Sequence, residues 1–262
     1  MIRVIEQPQR NSVADVVSIH SKRYVVANFA THFKASVVVS AGASSVILAT
    51  NLAGMGDMLV LFILGALAGL LPDLDADKSR SLNSLFSIFA LCSAIGLPLT
   101  VEFNSLTTIW LSGFGVYLLF MYALKPLFES YTIHRGASHS LLSVIMFAII
   151  AVNIALYLGK ALPFALLCGV MVIFGMLTHL ILDECYAVDI NNNELKASFG
   201  SALKPVATSA PLASMLQLGV VVLGGYLLLP HYEEIPQVIQ HWQNRLANLP
   251  LLPDMDALKQ FY

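Results

Sequence analysis

The sequence predicts an all-α fold, a polytopic helical membrane protein with about seven transmembrane helices, and three observations lead there. Hydrophobic residues make up 57% of the 262 and charged residues only 11%, against roughly 25% charged in soluble domains. The mean hydropathy is +0.76. Apolar runs of bilayer-spanning length, about 17–25 residues, recur along the chain. In hydrocarbon the backbone must satisfy its own hydrogen bonds, so such runs form helices, and no alternating barrel pattern is present. A formal net charge of −2 gives no basis for nucleic-acid binding.

Seven spans follow, at roughly 35–51, 55–72, 84–101, 106–125, 139–158, 162–182 and 212–230. The second is short, and the third carries Gly96 and Pro98. Residues 1–30 form a cytoplasmic lead-in without the compact apolar core of a signal peptide. Residues 31–230 form the helical domain. Residues 231–262 form a tail on the outer side, which Pro230, Pro236, Pro250 and Pro253 divide into short pieces. With the N-terminus inside, eleven of the 14 Lys and Arg fall in cytoplasmic segments, and only Lys160, Arg245 and Lys259 fall outside. The positive-inside rule then places the C-terminus outside.

Cys92, Cys168 and Cys185 show no metal-type pairing. The two within spans read as small core residues, while Cys185 is close enough to Asp183 to be weighed as a soft ligand. His20, His231 and His241 have no companions and read as surface residues.

The remaining polar side chains gather at helix ends on the inner side. His32 precedes the first span, "LLPDLDAD" places Asp73, Asp75 and Asp77 after the second, His134 and His139 enter the fifth, and "HLILDE" closes the sixth. His179 and Asp183 are i and i+4, so both project from one helical face. Asp73 continues the face of Gly65 and Gly69, a small-xxx-small stripe that admits a close neighbour. Pro72 loosens the helix there and lets the carboxylates turn inward. Singly, each feature also reads as a solvated loop, a cap or a headgroup anchor. Their convergence on one face is the signal.

Imidazole and carboxylate together suit zinc, manganese or iron. His32, Asp73, Asp75, His134, His139, His179 and Asp183 exceed the four ligands of a closed zinc site, and they suffice for one or two ions. Arg135 is placed to hold a phosphate bidentately, and Glu184 or Asp75 to accept a proton.

"THF" at 31–33, "LLPDLD" at 70–75, "HRGASHS" at 134–140 and "HLILD" at 179–183 resemble the YdjM-type inner-membrane proteins. The resemblance runs from about residue 30 to 205. That family is described as membrane-bound metal-dependent hydrolases, some of them LexA-regulated. More distantly, the order of His, Pro-Asp, His and HxxxD is similar to zinc-dependent phospholipase C. By position, the resemblance makes His32, Asp73, His139, His179 and Asp183 the primary ligands, with Asp75 and His134 secondary. No HxxxE follows Asp183, which departs from the three-zinc pattern, and "SFGSALKPV" at 198–206 only loosely matches the later glycine-proline segment.

The expectation is therefore a hydrolase of the inner membrane. It acts at the cytoplasmic face on a lipid or phosphoester, with membrane lipids around it and zinc, manganese or iron as cofactor. The alternative is a transporter or channel with a metal or proton site. Transporters place ionisable groups near the midplane, often in repeated halves, and neither is visible here. A third reading is a purely structural metal site.

Overall fold

The computed structural model describes residues 29–75, 80–97, 102–127, 137–189, 194–195, 200 and 202–249. The N-terminal lead-in up to residue 28, Asp77, His134, Arg135 and the tail from residue 250 lie outside the described residues, as does the side chain of Asp75.

Within them the chain is all-helical apart from one minimal ladder. Eight α-helices run in order: α1 Phe29–Ala49, α2 Met55–Ala68, α3 Arg80–Gly96, α4 Leu106–Leu118, α5 Leu141–Tyr157, α6 Leu162–Ala187, α7 Pro211–Leu227 and α8 Glu234–Ala247. The ladder pairs Val188–Asp189 with Glu194–Leu195, antiparallel, just after α6. Each of the seven expected spans coincides with a helix.

Three helices, Ala30–Ala49, Leu106–Leu127 and Leu162–Ala187, are long and apolar enough to cross a membrane. Met55–Ala68, Leu82–Gly96, Leu141–Tyr157 and Pro211–Leu227 are apolar but shorter. A 14-residue helix such as α2 rises about 21 Å at 1.5 Å per residue, less than the roughly 30 Å hydrocarbon core. The apolar run expected to continue to residue 72 loses its α-helical form at Ala68 and passes into a 3₁₀ turn, Leu71–Asp75. Pro72 is the cause: it has no N–H to donate to the Ala68 carbonyl, and its ring crowds that carbonyl.

Helix α6 is the axis of the bundle, with α1, α2 and α5 packed on it. Ala165, Met171, Met176, His179 and Leu180 on α6 have no exposed surface. One apolar cluster lies beneath the Pro72 turn and joins Leu70, Leu71, Leu82, Leu85, Val144, Val172 and Met176. A second, around Ile47, Leu61, Val152, Leu167 and Met171, fills the opposite end.

The contact among α1, α2 and α6 is made by small residues. A Cβ added at Gly175 on α6 would collide with the Gly65 carbonyl oxygen and come within 2.9 Å of the Gly69 nitrogen. One added at Gly69 would collide with the Ser36 hydroxyl of α1, and one at Gly65 would stand 2.6 Å from Ser40 Oγ. Ser36, Ser40 and Ser44 form a buried stripe on α1. In hydrocarbon, helices gain little from hydrophobic exclusion, so close van der Waals approach of this kind drives their association.

Helix α7 packs on α5, where Asn153 Nδ2 donates to the Gly224 carbonyl at 3.2 Å. Helix α4 pairs with α3 and carries no buried residue; it continues through a π-helical stretch, Leu119–Leu124. Its exposed Trp110, Phe114 and Tyr122 suit contact with lipid.

Two expectations are corrected. The tail is not broken at Pro236, because α8 runs through it. Proline in a first turn sacrifices an N–H that has no intrahelical acceptor anyway. Ile235, Ile239, Trp242 and Leu246 on α8 face α1, α5 and α6 across apolar crevices. Of the cysteines, only Cys168 is a core residue; Cys92 and Cys185 are exposed, and all three are free thiols. Cys92 lies on an outward face of α3.

The glycine contact makes a sharp prediction. Gly175→Ala should destabilise the bundle by about 1–3 kcal/mol, the usual cost of overpacking, because its new methyl meets backbone rather than a movable side chain. Gly42→Ala, where nothing lies within 4 Å, should leave stability nearly unchanged. Reversible unfolding of the two variants in detergent is the measurement.

Candidate metal centre

Four chain segments deliver polar side chains to one point. His32 comes from the first turn of α1, and Asp73 from the 3₁₀ turn after α2. His139 comes from the bend before α5, and His179 and Asp183 from successive turns near the end of α6.

The bend before α5 is held firmly. Ser140 is the N-cap, its Oγ accepting from the Ser143 amide at 3.2 Å. The amides of Leu141 and Leu142, which have no intrahelical acceptor, donate to the carbonyls of Lys204 and Pro205, each at 3.0 Å. His139 stands one residue before this cap, so its backbone is fixed by contacts on both sides.

All five residues that the resemblance makes primary ligands meet. His32 Nε2 lies 3.2 Å from Asp183 Oδ1. His139 Nε2 lies 3.3 Å from Asp183 Oδ2, and His179 Nε2 lies 3.4 Å from the same oxygen. His179 Nε2 is also 3.4 Å from Asp73 Oδ1, and His139 Nε2 is 4.0 Å from it. The His32 and His179 rings stack at 3.9 Å between centroids, and the His139 ring stands edge-on to His179. Two overlapping groups result, His32–His179–Asp183 and Asp73–His139–His179, and either could hold a metal ion.

The donor chemistry fits a cation. His179 Nδ1 lies 2.6 Å from the Gly69 carbonyl oxygen. A carbonyl only accepts, so Nδ1 carries a proton, and in the neutral ring Nε2 presents its lone pair. That Nε2 is fully buried and makes no hydrogen bond, although carboxylate oxygens stand close to it. A lone pair turned toward anions in a buried site is unfavourable, and either a cation held between them or a second ring proton relieves it. Ligands bound at 2.0–2.1 Å in a tetrahedron are about 3.3–3.4 Å apart, and the shortest nitrogen–oxygen separations here have that size. Because His179 has one nitrogen left to offer, it serves one ion only.

The centre is graded in exposure. The His179 side chain is sealed and that of His32 nearly so, whereas Asp183 keeps 29% of its surface and Asp73 and His139 slightly less. The site therefore opens on its carboxylate side.

Glu184, expected as a proton acceptor, is engaged elsewhere. Its Oε1 accepts from the Gly200 amide and its Oε2 from the Ala202 amide at 3.3 Å. It ties the 200–202 loop to α6. Asp75, His134 and Arg135 cannot be placed in the centre, for the reason given with the fold. None of the cysteines joins either group, so Cys185 is not brought in as a ligand among the described residues. Sequence reasoning missed the Gly69 carbonyl and the Ser138 hydroxyl, whose roles depend on contacts between distant segments.

A family model described as YdjM inner membrane protein matches residues 28–192, more than half the chain. The chain belongs to the YdjM family. Membership makes it an inner-membrane protein, in agreement with its apolar helices, and the matched segment contains all five converging residues. No curated protein and no solved structure matches this YdjM-family chain.

A ligand that binds only the folded centre stabilises the fold by mass action. Zinc at a hundredfold excess over its Kd should add about 2.7 kcal/mol to wild-type protein. His179→Ala, which deletes the one side chain common to both groups, should lose that increment. Thermal melts with and without zinc, in the presence of a chelator control, measure both.

Proposed function

We propose that this YdjM-family protein is a membrane-embedded, metal-dependent hydrolase acting on a phosphoester or lipid substrate at the cytoplasmic face of the inner membrane. The observation that carries the reading is the meeting of three imidazoles and two carboxylates at coordination spacing, with the buried His179 Nε2 lacking a hydrogen bond.

His139, His179, Asp73 and Asp183 Oδ2 form the fuller ligand set. His32 and Asp183 Oδ1 form a second, smaller one, joined to the first through the Asp183 carboxylate. A divalent ion bound there supplies Lewis acidity and lowers the pKa of water at neutral pH. The protein's own part is to hold the ligands, exclude water below through the sealed His32 and His179, and leave the Asp73–His139–Asp183 side accessible. Arg135 is assigned to orient a substrate phosphate. That open side supports a reactive centre over a purely structural one, whose coordination would be closed.

For topology, we assign seven crossings with the N-terminus cytoplasmic and the C-terminus outside, on the eleven-to-three division of Lys and Arg. A periplasm-dependent phosphatase reporter fused after residue 262 should be active. An inactive C-terminal fusion beside an active one in the 159–161 turn would break that assignment at its last crossing, and inactivity at both places would reverse it.

The decisive experiment is elemental analysis of purified protein. Wild type should carry one or two equivalents of zinc, manganese or iron, and His139→Ala and Asp183→Ala should carry far less while remaining helical. Hydrolysis of phosphodiester and phospholipid substrates should then track metal content and stop on chelation. Folded wild-type protein that neither retains nor takes up metal would end this reading.

A further inference from the structure

Helix α2 stops early, and two carbonyls at its end take hydrogen bonds from side chains of the cluster. An α-helix continuing past Ala68 would turn the Gly69 carbonyl onto the Asp73 amide. Instead the chain enters the 3₁₀ turn, and the Gly69 carbonyl takes the proton on His179 Nδ1. Three residues on, the Pro72 carbonyl takes a hydrogen bond from Ser138 Oγ at 2.7 Å. The same Oγ lies 3.1 Å from His139 Nδ1.

The directions of these two bonds are forced. A serine hydroxyl has a single hydrogen, and the Pro72 oxygen can only accept it. Were the hydroxyl to donate to His139 instead, two bare acceptor oxygens would face each other at 2.7 Å. With its hydrogen committed to Pro72, Ser138 Oγ can only accept from His139, so Nδ1 carries the ring proton. In the neutral ring, the form that binds a metal, His139 Nε2 is then the lone-pair nitrogen, and it is the atom that faces Asp183 Oδ2 at 3.3 Å.

We propose that Ser138 is a positioning residue that sets the tautomer and orientation of His139, relaying the Pro72 carbonyl so that Nε2 is offered to a divalent transition metal. The inference rests on the metal-centre reading above. His179 reaches the same state by a direct bond to Gly69, so one helix end prepares both imidazoles, one directly and one through Ser138. Ligating histidines whose second nitrogen is held in this way lose affinity by about 10–100-fold when the holding partner is removed.

The test uses full-length detergent-purified protein and zinc alone, with affinity read by competition against a chromophoric chelator. Ser138→Ala should weaken zinc binding by about 10–100-fold, and Ser138→Thr, which keeps the hydroxyl, should restore it. Ser138→Ala binding as tightly as wild type would overturn the proposal and leave the metal centre standing. Equal weakening in both variants would overturn it too, since position 138 would then serve packing. Wild type that binds no zinc would instead remove the metal-centre reading itself. A measurement on wild type needs no variant to fold: ring-nitrogen chemical shifts of histidine-labelled, zinc-loaded protein, assigned against His139→Ala. His139 bound through Nε2 with Nδ1 protonated is expected. Binding through Nδ1, or no binding by His139, would overturn the assignment.

Discussion

The backbone of α6 touches the backbone of α2 at Gly175, and much of the molecule is organised around that approach. Gly175 meets the Gly65 carbonyl and the Gly69 amide, a spacing that any side chain would forbid. One turn beyond Gly175 stands His179, and one turn beyond that Asp183. One turn beyond Gly69 stands Asp73. The serine stripe on α1 begins one turn after His32. Three contact stripes with a period of four thus run directly into the His and Asp positions of the cluster, and the crossing that packs the helices also sets the separation of the polar groups. A wider crossing would carry His179 away from the Gly69 carbonyl and from Asp73 together.

Such a cluster is expensive to maintain without a charge at its centre. Burying imidazoles beside carboxylates forfeits their hydration, and an unpaired polar group in low dielectric costs roughly 1–3 kcal/mol on mutational scales. The protein offsets part of this with side-chain hydrogen bonds to backbone carbonyls at the end of α2. Pro72 interrupts α2, and the Gly69 and Pro72 carbonyls both lie within hydrogen-bond reach of side chains at the cluster. The irregular turn is therefore held by the cluster it borders, in keeping with the rule that nonhelical backbone at a membrane must be satisfied by protein or line a polar cavity.

Much of this was legible in the sequence, and the reasons for the rest are physical. Apolar runs revealed the helices because hydrocarbon imposes a composition. The i, i+4 pairing of His179 with Asp183 and the Gly65–Gly69–Asp73 stripe are local patterns, so they could be read before any contact was known. The end of α2 was obscured because an apolar run does not show where hydrogen bonding stops; Pro72 was the signal, and its effect reached back to Ala68. Helix α8 was hidden for the opposite reason, since Pro236 suggested a break but sits where proline is tolerated. The serines beside His32 were overlooked as ordinary small residues, although their spacing matches that of the glycines they meet. Glu184, although adjacent to Asp183, accepts from the Gly200 and Ala202 amides, because neighbours on a helix point about 100° apart. Ser138 could not have been singled out, because its partner lies 66 residues earlier in the chain.

The loop around Lys204 and Pro205 lies beyond residue 192, where the family match ends, yet it closes the first turn of α5 and is moored to α6 by Glu184. The stretch of chain that defines the family is thus not mechanically self-sufficient. Cut back to that stretch, the protein would leave the Leu141 and Leu142 amides without acceptors at a buried helix start, beside the very bend that carries His139. A fragment that keeps the first turn of α5 closed therefore has to reach at least to Pro205, whose carbonyl accepts from the Leu142 amide.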